Sequence, residues 1–170
     1  MEIHPLFIHF PIALLIIYAL MEMIRFKKLT ENESWNYAKA GILIVGVLSA
    51  FLALATGDGA EAALRAENDT LNLAVAEVHS TFAAISTTIF AILAVAYIIK
   101  IANKSWLSNN QGKTWGALLK VQSFILSTPV SMILAFAGLV TMTITGALGG
   151  AMVYSPDVDP VVNFVYHLFF

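Results

Sequence analysis

Four histidines are the residues of this 170-residue chain best suited to chemistry: His4, His9, His79 and His167. Neutral imidazole is a ligand for haem iron, zinc or copper. The chain has no cysteine. That excludes disulfides, thiolate zinc sites, cysteine-held iron–sulfur clusters and covalently attached c-type haem. Two chemistries stay open. The first is a b-type haem held by two histidines, which needs one imidazole from each of two facing helices and small residues beside the macrocycle. His9 and His79 are the expected axial pair, with His4 and His167 nearer the surface. Gly57 and Gly146, with Gly59, Gly149 and Gly150, are expected to leave the room. The second is a divalent metal site for binding or transport of zinc or copper, with Asp58 or Glu61 adding oxygen to the histidine nitrogens. Each has a plainer competitor: interfacial hydrogen bonding for the histidines, and helix packing or C-caps for the glycines.

Membrane helices must position these residues. The chain is 59% hydrophobic and 12% charged, with mean hydropathy +0.80. A soluble domain of this length needs far more charge to cover its surface. Four apolar segments reach the roughly 20 residues a span requires. They run from Pro5 to about Ile24, Ala38 to about Thr56, Leu71 to Ile99 and Val121 to Leu148. The first is not a cleaved signal peptide, because Arg25, Lys27 and Lys28 follow its apolar run rather than precede it. The prediction is an all-α membrane protein, a single bundle of four transmembrane helices over residues 1–170, with 149–170 as an interfacial tail.

Lysine and arginine set the orientation. Arg25, Lys27, Lys28 and Lys39 lie around the first linker, and Lys100, Lys104, Lys113 and Lys120 around the third. Only Arg65 lies on the opposite side. The positive-inside rule puts both basic linkers in the cytoplasm and both termini outside. All four histidines then fall near the outer face. His9 follows His4 by five residues, about 140° past a full helical turn, so the two point in different directions. His79 is expected at a depth similar to His9. Glu22 and Arg25 read as a cytoplasmic surface pair, and the inner half reads as lacking polar residues that could continue a path. Pro11 and Pro129 both read as interruptions inside spans. Net charge is −2 and there is no basic stripe, so nucleic-acid binding is not expected.

A short internal repeat is visible. Each hairpin enters with a histidine, His9 or His79, and returns with threonine and glycine, Thr56-Gly57 or Thr145-Gly146. Two copies related by an axis along the membrane normal fit this pattern.

The string His4-Pro5-Leu6-Phe7-Ile8-His9-Phe10-Pro11 is the most specific in the chain. It resembles the start of a family of predicted bacterial membrane proteins, domain of unknown function 2231 (DUF2231). The resemblance continues through Ala55-Thr56-Gly57-Asp58, His79 and the run Thr145–Tyr154, and covers nearly the whole chain. It implies a four-span protein of the bacterial inner membrane. Some members look joined to Rieske-type or cytochrome domains, which implies electron transfer and favours haem over a bare metal. The expected role is an electron-transfer subunit, not an enzyme by itself. Its partners would be lipid, a separate redox protein or a second copy, and a quinone. A purely structural membrane anchor is the third reading.

Overall fold

The computed structural model describes residues 4–66, 70–105 and 112–170, with the side chains of 4–7, 58, 60–61 and 63–66 outside that description. Among the described residues seven helices follow one another: α1 His4–Met23, α2 Lys27–Thr30, α3 Glu33–Ala66, α4 Thr70–Ser105, α5 Lys113–Ile125, α6 Thr128–Tyr154 and α7 Pro160–Phe169. No strand occurs among the described residues. Long unbroken apolar runs rich in Leu, Ile and Ala favour this outcome, because in hydrocarbon every backbone group must be satisfied within its own segment.

Among the described residues, three helices are long and apolar enough to cross a membrane: Glu33–Gly57 within α3, Thr70–Ser105 and Thr128–Tyr154. The apolar part of α1, Ile8–Met23, is shorter. Helix α1 packs against α3 and α6, and α4 packs against the same two, so α1 and α4 sit on opposite corners of a four-helix ring. Their side chains still meet in the centre. Tyr18 of α1 lies edge-on to Phe90 and Tyr97 of α4, at 6.1 and 6.3 Å between ring centroids. Leu15, Leu43 and Leu93 complete this fully buried layer. Close approach depends on two glycines. A Cβ at Gly46 would come within 2.8 Å of Leu15, and one at Gly138 within 2.7 Å of Phe90. The opposite faces are apolar and exposed, including Ile17 and Leu20 of α1, Leu48 and Phe51 of α3, Val95 of α4 and Phe136 of α6. That band suits contact with lipid on all four ring helices.

Three features depart from the sequence pattern. The stretch after Gly57, expected as a loop, continues α3 as helix to Ala66. The fourth apolar segment is two helices, not one. The chain breaks at Leu126-Ser127, and Ser127 adopts an extended conformation as the N-cap of α6. Pro129 therefore interrupts nothing. It sits in the first turn of α6, where a missing N–H needs no partner. Pro11 does lie inside α1, as expected.

The tail forms α7 because Asp159 caps it. The Asp159 carboxylate accepts from the N–H groups of Val161 and Val162 at 2.8 and 3.0 Å, and Pro160 occupies the first turn. Val162 and Val165 then pack with Val75, Leu148 and Ala151, so α7 folds back on α6 and α4.

Candidate functional site

The described residues form two polar sites, one at each end of the bundle. At the histidine end, His79 projects from α4 toward α6. Its Nδ1 lies 2.9 Å from the carbonyl oxygen of Thr145. Gly149, one turn on, makes this approach possible. A Cβ there would stand 3.2 Å from His79 Cε1 and 3.5 Å from Nδ1. When Nδ1 carries the hydrogen and donates to Thr145, the lone pair resides on Nε2. That is the tautomer of a metal-ligating histidine whose second nitrogen is held by a carbonyl.

The other expected site residues fall differently. His9 is exposed on α1. Tyr18 lies between Phe90 and Tyr97, hence level with about Leu93. Counting outward at about 1.5 Å per residue brings His9 level with Ala84, and His4 level with His79. His79 thus lies about 7.5 Å nearer the histidine end of the bundle than His9. The side chain of His4 is outside the described residues, as are those of Asp58 and Glu61. His167 is exposed, with Nδ1 2.9 Å from the Asn163 carbonyl of its own helix. Gly146 is exposed, and a Cβ there would meet nothing within 4 Å. Gly149, rather than Gly146, makes the room used here. Gly57 is half-buried near the end of the apolar part of α3. Thr141, Thr143 and Thr145 donate to carbonyls of their own helix. No group of three or more His, Asp or Glu that could hold a metal ion occurs among the described residues.

The basic end overturns the expectation of a surface pair and of an inner half poor in polar residues. Glu22 is 2% exposed. Its Oε2 accepts from Lys39 Nζ at 2.7 Å and from the Tyr97 hydroxyl at 3.1 Å. Its Oε1 accepts from Arg25 Nη2 at 3.0 Å, and the same Nη2 donates to Ser131 Oγ at 3.1 Å. One carboxylate therefore links α1, α3 and α4 directly, and reaches α6 through Arg25. Charges buried in a membrane protein persist only when paired. The sequence signal was present but slight. Glu22 stands alone between Met21 and Met23, and Lys39 alone between Ala38 and Ala40. Tyr97 and Ser131 carry no sequence mark, because only the packing of four helices brings them to the carboxylate.

A family profile described as "Predicted membrane protein (DUF2231)" matches residues 1–160. The chain belongs to the DUF2231 family. No curated protein and no solved structure matches it. The match covers both ends of the DUF2231 bundle: the His9-bearing start, the Glu22–Lys39 pair, His79 and the Thr145–Gly149 run all lie within it.

Proposed function

We propose that the chain is a four-span inner-membrane subunit that carries electrons through a haem b held at its histidine end. The observation that supports this is His79, fixed by the Thr145 carbonyl in the notch left by Gly149. A histidine ligand needs a fixed tautomer and ring orientation, and the Thr145 carbonyl beside Gly149 supports both. The second axial imidazole comes from α1. His9 is the partner favoured by the repeat, and His4 the one favoured by level. A bound haem would supply a one-electron couple. Two neutral imidazoles leave no open iron position, so the role is electron transfer rather than oxygen chemistry. The positive-inside rule supports a cytoplasmic location for the basic end and an outer one for the histidines. Electrons would enter and leave on the outer side, between a quinol and a separate redox protein.

Purified protein is expected to show a Soret band and reduced-minus-oxidised α and β bands. His79→Ala is expected to abolish them, and His9→Ala and His4→Ala to identify the second ligand. A folded protein that stays colourless after expression with added haem overturns the proposal.

The anchor reading draws on a different observation. Val161, Phe164 and Leu168 form an exposed apolar stripe on α7, opposite the face packed on the bundle. As a pure anchor, the chain would hold its partner through such surfaces. His79→Ala would then leave both partner capture and electron flow through the partner intact.

A further inference from the structure

The buried network at the basic end borders a cavity. Its volume is about 260 Å³, and it is lined by Glu33, Asn36 and Tyr37 at the start of α3 and by Tyr97, Lys100 and Lys104 at the end of α4, with Glu31 at the rim. Tyr97 is the shared wall. Its hydroxyl faces Glu22, while Lys39 and Lys100 each stand over its ring, at 5.8 and 5.9 Å from the centroid.

The charge balance around this cavity is uneven. Lys104 pairs with Glu33 at 2.6 Å, and Lys27 lies 3.9 Å from Glu31. Those pairs neutralise the two carboxylates of the lining. Lys100 lines the cavity and takes part in no ion pair with the described residues. Behind Tyr97, Glu22 faces both Lys39 and Arg25, so the buried network also carries one cation more than its carboxylate balances. Two positive charges in excess, one of them behind the Tyr97 ring, make a field that selects an anion. Lys100 and Tyr37, whose side chains carry ammonium and hydroxyl donors for an oxyanion, are lining residues, and Lys104 stands beside them on its Glu33 partner.

Position narrows the anion further. Phe26 and Tyr37 are exposed at this end. Trp115 donates to Asn103 at 3.0 Å close by on α4. Such aromatic residues collect where a bilayer's headgroups lie. A cation-lined cavity at that level faces the phosphates of the leaflet. We propose that this cavity is a binding site for a phosphate-bearing anion, with the headgroup of an anionic phospholipid as its source.

The test uses the full chain in detergent, with phosphatidylglycerol, phosphatidylcholine and glycerol phosphate as probes. Lipid retention is read by native mass spectrometry, and thermal stability is followed on adding each probe. Phosphatidylglycerol is expected to be retained in preference to phosphatidylcholine. Lys100→Gln is expected to weaken that retention about fivefold. Lys28→Gln, an exposed cation outside the cavity, is expected to leave it unchanged. Stabilisation by glycerol phosphate that depends on Lys100, without selective retention of phosphatidylglycerol, assigns the site to a soluble phosphate ester instead of a lipid. Equal binding by Lys100→Gln and the unaltered chain, or an equal loss in Lys28→Gln, overturns the site. Lys100 is exposed and makes no ion pair with the described residues, so its replacement leaves the folded bundle in place and keeps the comparison readable.

Discussion

The two ends of the bundle are held by different physics. At the basic end a single carboxylate gathers Lys39, Tyr97 and Arg25, and through Arg25 reaches Ser131. At the histidine end, His79 meets a main-chain carbonyl of one neighbouring helix, and α7 packs over α6 and α4 through valines and small residues. The first arrangement is ionic, joins all four ring helices and leaves little freedom. The second is neutral, joins α4 to α6 and uses glycine to bring a ring close to backbone. Charge at a shared centre fixes a structure, because each partner left alone becomes a buried unpaired ion. The His79 ring is instead held beside Gly149 by a main-chain carbonyl. The basic end thus reads as the fixed end of the molecule and the histidine end as the one suited to chemistry.

Removing Glu22 gives the largest expected effect on that contrast. Glu22→Gln leaves the buried Lys39 and the half-buried Arg25 without their counter-ion, and the expected loss is roughly 3–5 kcal/mol in thermal or denaturant unfolding in detergent. Lys39→Met is expected to be distinctly milder, because one cation, Arg25, still faces the carboxylate. Equal losses in the two variants would show that the excess positive charge has no energetic weight.

Next comes the packed centre between the ends. Gly138→Ala forces Phe90, whose Cζ lies 2.7 Å from the added carbon, out of a fully buried position. Overpacking of this kind costs about 1–3 kcal/mol. Gly146→Ala, with nothing within 4 Å, is the control and is expected to leave stability unchanged.

Loss of the α7 cap is smaller and local. Asp159→Ala removes the acceptor for two N–H groups and is expected to cost about 1 kcal/mol. It is read as faster amide exchange in residues 160–169 with the ring helices unaffected. If exchange also rises along α3, the histidine end is more tightly coupled to the rest than its contacts suggest.

His79→Ala is expected to have the smallest effect on stability, with its hydrogen bond to Thr145 contributing about 0.6 kcal/mol. It is also expected to have the largest effect on any haem spectrum. A large stability loss with no spectral change would reverse the assignment of roles to the two ends.

Much of the architecture was legible in the chain itself. Hydropathy and length locate the apolar helices, because the bilayer imposes one thickness and one demand on every backbone group. Asp159-Pro160 marks the start of α7 because capping is local chemistry. The break at Leu126-Ser127 was harder to read. Apolar residues continue through it, and only Pro129 hints that a helix begins there rather than bends.

The sites divide in the same way. Sequence alone determined which residues could do chemistry: four histidines, no cysteine, and basic residues gathered at one end. It could not determine which of them meet. Spacing along one helix fixes direction on that helix, whereas the meeting of His79 with Thr145 and Gly149 depends on how α4 and α6 align. Tertiary structure alone turned the apparent surface pair Glu22–Arg25 into a buried network with Lys39, Tyr97 and Ser131. The physical reason is burial. A charge at the end of an apolar run is cheap to leave in water, and becomes a structural centre only when neighbouring helices close over it and supply the opposite charge.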